Sequence, residues 1–92
     1  MKDKYDEMYD IVVSMARTKM LMNAHKGNIE DVDNRELIKM AIGEIHELEE
    51  AITNSGYMEI IEEAADVLNF VIAAVHKSVH GYRGRNENSR PT

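Results

Sequence analysis

Residues 57–81 read YMEIIEEAADVLNFVIAAVHKSVHG, and this stretch decides the fold. From Ala64 to Val75 only Asp66 and Asn69 are polar, so apolar side chains cover almost the whole circumference of a helix formed there. A helix of that kind must be enclosed on nearly all sides. Its longest apolar run, Val67 to Val75, is broken by Asn69 and falls far short of the roughly 20 residues of a membrane span. The helix is expected from about Tyr57 to His80, ending before Gly81.

Upstream, Asn54-Ser55-Gly56 is a turn signal. Before it, residues 34–53 repeat Leu37, Ala41, Ile45, Leu48 and Ile52 on one narrow stripe, which predicts an amphipathic helix. Asp33 or Asn34 is placed to cap it, with Glu36 in the first turn, where the helix dipole favours negative charge. A first helix is expected over residues 3–24, where Tyr5, Met8, Tyr9, Val12, Met15 and Ala16 recur at three- and four-residue steps. His25-Lys26-Gly27-Asn28 breaks it. The fold class is therefore all-α: a helical hairpin preceded by an N-terminal helix. Two helices from one chain cannot readily surround the third, so chains are expected to associate as a dimer or tetramer around a four-helix-bundle-like core. Residues 1–80 form one domain, and residues 81–92, with Arg83, Arg85, Arg90 and the only proline, are expected to extend as a flexible basic tail.

The bulk numbers narrow the function classes. Ninety-two residues hold one modest core, and with no cysteine there is neither a disulfide nor a thiolate metal site. A net charge of −6 argues against a binder of nucleic-acid polymers, which needs a basic face. The N-terminal ten residues are charged throughout and do not resemble a signal peptide, so a cytoplasmic location without membrane attachment is expected. The seven methionines fall mostly on the apolar stripes of the first two helices, as adaptable core filler.

The acid excess is uneven: glutamates crowd residues 44–50 and 59–66. Glu44 and Glu47 stand three apart, as do Glu63 and Asp66 on the next helix. Residues at that spacing lie about 60° apart around a helix, so each pair can reach a common point, and an antiparallel return brings the pairs face to face. By helical wheel Glu44 lies about 60° from the centre of the apolar stripe and Glu47 about 120°, whereas Glu50 points to solvent. Asp66 interrupts an otherwise apolar surface. Four carboxylates at a partly buried seam repel one another, and hard oxygen ligands without thiolate suit magnesium or manganese. The plainer alternative is a pair of charge-decorated helix faces in water.

The segment from Glu44-Ile45-His46-Glu47 to Ala51-Ile52, followed by Glu63-Ala64-Ala65-Asp66 and its apolar run, resembles the MazG-like all-alpha nucleoside triphosphate pyrophosphohydrolases, whose motif is ExxE and, after a hairpin, ExxD. The resemblance extends over residues 17–76 and is nearest to the short, single-domain, often phage-borne members, with Asn23-Ala24-His25-Lys26-Gly27 in the place of their turn after the first helix. It implies hydrolysis of a nucleoside or deoxynucleoside triphosphate to the monophosphate and pyrophosphate, with Mg2+, or Mn2+, held by Glu44, Glu47, Glu63 and Asp66. Lys19, Asn23 and Lys26 are candidate phosphate contacts, and Asn69, a polar residue in an apolar run, a further substrate contact. Ile29 departs from an aromatic that some relatives place after the turn.

Two other metal chemistries fail on spacing. A di-iron carboxylate centre needs paired Glu-x-x-His, and the positions three after Glu44, Glu47 and Glu63 are Glu47, Glu50 and Asp66. A calcium loop starting at Asp31 has Glu36 where glycine is required and Ile42 where the last glutamate belongs. His76 and His80 have helical metal-pair spacing but no third ligand nearby. A non-catalytic helical oligomerisation or regulatory module is the alternative to the enzyme.

Overall fold

The computed structural model describes residues 3–23 and 32–89, with side chains to residue 22 and from 32 to 80. It contains α1 (Asp6–Asn23), α2 (Asn34–Asn54) and α3 (Tyr57–Ser89), and no strand among the described residues. The starts of α1 and α2 are chemically marked. Asp3 Oδ1 accepts the Tyr5 and Asp6 amides at 2.8 and 3.2 Å, while Asp6 Oδ2 accepts the Asp3 amide at 2.9 Å. This reciprocal pairing satisfies amides that α1 leaves unbonded at its start. At α2, Asp33 is the cap, its side chain accepting the Arg35 amide at 3.1 Å. The helix closes with the Ser55 amide donating to the Ala51 carbonyl at 2.8 Å, and Gly56 leads directly into α3.

Asn34 has a different task from capping. Its side-chain amide donates to Ser78 Oγ at 2.8 Å, and the Lys77 ammonium donates to the Val32 carbonyl at 2.7 Å. The start of α2 therefore lies beside the later part of α3, and the hairpin is antiparallel. On the other side of α3, Ala16 meets Asn69 while Lys19 meets Glu62 and Asp66, so α1 is antiparallel to α3 as well. Both α1 and α2 pack on α3 and, among the described residues, not on each other. α3 is the middle plank of an open layer.

The core is thin and built from small residues: Ala16, Leu37, Ala41, Ala51, Ile61, Ala65 and Ala74 are buried, and Leu37 is the largest side chain fully enclosed. Interaxial distance depends on the side chains at the contact, within a usual range of roughly 8–10 Å. Of the stripe expected on α2, Leu37 and Ala41 are buried and Leu48 is half-buried, but its two isoleucines are not. Ile45 and Ile52 are 48% and 60% exposed, and the line facing α3 runs through Leu37, Ala41, Glu44, Leu48 and Ala51. A wheel weighted by large side chains is drawn toward the isoleucines, whereas the buried line takes in Ala41 and Ala51. Ile72, Val75 and Val79 are likewise exposed, so one chain leaves part of α3 uncovered.

A second correction concerns the end of α3, which runs past His80 and Gly81 to Ser89. A glycine inside a helix costs about 1 kcal/mol relative to alanine but removes no hydrogen bond, and the proline that would do so comes only at residue 91. Residues 81–89 thus have helical backbone where an irregular tail is expected from composition. No helix among the described residues is long and apolar enough to cross a membrane.

Candidate metal centre

Because Glu44 sits on the line of α2 that faces α3, its carboxylate enters the seam between the two helices. Glu63 and Asp66, one turn apart on α3, meet it there. One ligand oxygen from each of the three lies within 4.8 Å of the others, and all three residues are half-buried. Glu47 stands apart from this group. It lies about 60° further round α2 than Glu44, is exposed, and lines an open groove of about 400 Å³ with Gly43, His46, Glu50, Glu59 and Glu63. The four expected carboxylates therefore resolve into a close triad and one flanking residue.

The carboxylates of the triad disfavour one another's charge. Burial, then the Asp66 charge, a side-chain hydrogen bond with Glu63 and the charges of Glu47 and Glu63 push the Glu44 carboxyl up from the ordinary 4.5 to about 7. Each of these disfavours a further negative charge at the seam. Glu63 Oε1 is buried and receives no hydrogen bond. A buried carboxylate oxygen without a donor is costly, and a bound cation is one partner that removes the cost. Oxygens around one Mg2+, with bonds of about 2.1 Å, stand roughly 3–4 Å apart, so the triad needs only a small contraction to close on such an ion. With three carboxylates and neither imidazole nor thiolate in the group, the donor set fits Mg2+ or Mn2+.

The other candidates divide. Lys19 reaches the centre: its Nζ lies 2.8 Å from Asp66 Oδ1 and donates to the Glu62 carbonyl at 3.4 Å. Asn69, one turn after Asp66, donates its amide to the Ala16 carbonyl at 2.9 Å, which ties α3 to α1. Asn23 ends α1, but its side chain lies outside the described residues, as does all of Lys26. His76 and His80 are exposed with ring centroids 4.2 Å apart, and His46 is exposed beside Glu49. The contact between Lys19 and Asp66 joins residues far apart in sequence and has no local signature; a lysine late in α1 with no acidic residue three or four positions away is the hint the sequence offers.

No family model, no curated protein and no solved structure matches this chain.

Proposed function

We propose that the chain is a metal-dependent nucleoside triphosphate pyrophosphohydrolase of the MazG-like all-alpha kind, converting a nucleoside or deoxynucleoside triphosphate to the monophosphate and pyrophosphate. One observation carries this: the acidic pairs that form the sequence resemblance supply three carboxylates to a single half-buried seam, Glu44 from α2 with Glu63 and Asp66 from α3. Glu44, Glu63 and Asp66 would hold Mg2+ or Mn2+, with Glu47 at the groove edge as the fourth ligand. Such an ion, when bound, would supply a water of lowered pKa and neutralise phosphoryl charge. The chain's own part is positional. Carboxylates on two packed helices are held at fixed separation, while the groove beside Glu63 gives a triphosphate room to approach. Lys19, Asn23 and Lys26, at and beyond the end of α1, are assigned to the phosphates, and Asn69 to the inner edge of the substrate site. A nucleotide substrate suits a cytoplasmic enzyme.

Self-association is part of the proposal. Ile38, Ile42, Ile45 and Ile52 leave an exposed apolar flank on α2, and α3 exposes Ile72, Val75 and Val79. Covering them in a dimer or tetramer would supply the enclosure that α3 lacks. The same flank favours a second reading, a non-catalytic helical oligomerisation or regulatory module. A panel of nucleoside and deoxynucleoside triphosphates with Mg2+ or Mn2+, assayed separately for pyrophosphate and orthophosphate, decides between them. Pyrophosphate release is expected. Orthophosphate as the primary product eliminates the reaction type, and no turnover on any nucleotide leaves the module.

A further inference from the structure

We propose that Lys19 is a tethered counter-ion of the acidic centre, and that a divalent cation binds there by displacing its ammonium from Asp66. The inference rests on the metal reading of Glu44, Glu63 and Asp66 and adds its regulation by a group on α1. Three features carry it. First, the ammonium touches a member of the triad directly, 2.8 Å from Asp66 Oδ1, and is steadied by the Glu62 carbonyl at 3.4 Å. Second, the pairing is not a by-product of helix geometry: the residues three and four away on α1 are Met15, Ala16, Met22 and Asn23, none of them acidic. Lys19 is aimed across the α1–α3 seam. Third, both side chains are about one quarter exposed, where a charge pair is neither fully screened nor permanently enclosed.

The sign of the effect follows from charge. An ammonium and a divalent cation within a few ångströms, in a medium less polar than water, repel strongly. Each therefore weakens the hold of the other on Asp66, and the loss is reciprocal. The lysine suits exchange. Its ammonium is a point charge on a flexible four-carbon stem, able to swing clear without repacking, where the planar fork of arginine would stay engaged. A lysine that merely oriented Asp66 for the ion would have the opposite effect, since deleting it would then weaken metal binding.

The test is Mn2+ binding to the full chain, followed by the free-ion paramagnetic resonance signal and by calorimetry, in wild type, K19M, K19R and E63Q. K19M should bind Mn2+ more tightly, by roughly fivefold or more, and gain more melting temperature from Mn2+ than wild type does. K19R, which keeps the charge, should bind no more tightly than wild type. If K19M is unfolded at the working temperature, K19Q carries the same expectation while retaining a donor for the Glu62 carbonyl. Equal or weaker binding by the folded Lys19 variant overturns the counter-ion role, and the metal reading survives so long as E63Q weakens binding. Absence of Mn2+ binding in wild type and in the Lys19 variants overturns both.

Discussion

The two seams on α3 are made of different materials. Against α2 it buries Leu37, Ala41 and Ala51 and, in their midst, carboxylates from both helices, one of them with a buried oxygen that no donor reaches. Against α1 it offers polar ties, Asn69 to a backbone carbonyl and Asp66 to an ammonium, around the single buried Ala16. The first seam holds most of the buried apolar side chains together with an oxygen that has no donor, whereas at the second Asn69 and Asp66 are paired. The oxygen without a donor lies at the first seam, and Asp66, paired with Lys19 at the second, joins the two.

The sharpest break of this contrast is Leu37→Ala. Truncating the one large side chain fully enclosed at the α2–α3 seam should cost roughly 2–5 kcal/mol, measured by urea unfolding. A loss under about 1 kcal/mol would mean that the hairpin is not the stable part of the molecule. Next comes Glu63→Gln, which should split stability from binding. Removing the unpartnered charge should raise the melting temperature at pH 8, while Mn2+ affinity falls by about 100-fold, at least the penalty typical of losing an outer-shell partner. If both quantities fall together, the seam holds no unrelieved charge.

pH sharpens the same point. The Glu44 carboxyl is raised from 4.5 to about 7 in the fold, so the folded chain binds more protons than the unfolded one between those values. The associated stability is therefore present below about pH 4.5 and lost as pH rises through 7. Melting temperature in chelator should fall between pH 5 and pH 8. Glu44→Gln should flatten that slope, and saturating Mn2+ should restore stability at the alkaline end. A slope unaltered in Glu44→Gln would place the titrating group elsewhere. The smallest effect is expected on the other seam. Asn69→Ala deletes one amide-to-carbonyl bond and should cost about 1 kcal/mol, with Mn2+ affinity changed less than by Glu63→Gln. An affinity loss as large as that of Glu63→Gln would give Asn69 a direct part in the centre.

Much of this was legible in residue order because it depends on local chemistry. Three helices, a cap at Asp33 or Asn34 and the Asn54-Ser55-Gly56 turn follow from spacing, capping chemistry and glycine, and the i,i+3 acidic pairs follow from helical pitch. What escaped depends on the neighbour. Which face of α2 turns inward depends on its packing against α3, where Leu37, Ala41 and Ala51 are buried while Ile45 and Ile52 stay exposed. Relative to the buried line, Glu44 is then about 20° off centre and Glu47 about 80° to the same side, while the isoleucines lie about 60–140° to the other. One carboxylate of the first pair enters and the other stays at the rim. The end of α3 was misjudged because glycine weakens a helix without stopping it. The pairing of Lys19 with Asp66 spans two helices and has no spacing rule to announce it.

Because α1, among the described residues, packs on α3 and not on α2, detaching it breaks no contact between α2 and α3 there. It can open as a separate leaf, at a free energy below that of global unfolding. Amide hydrogen exchange should then find α1 losing protection ahead of the hairpin, and each such opening would carry Lys19 away from Asp66.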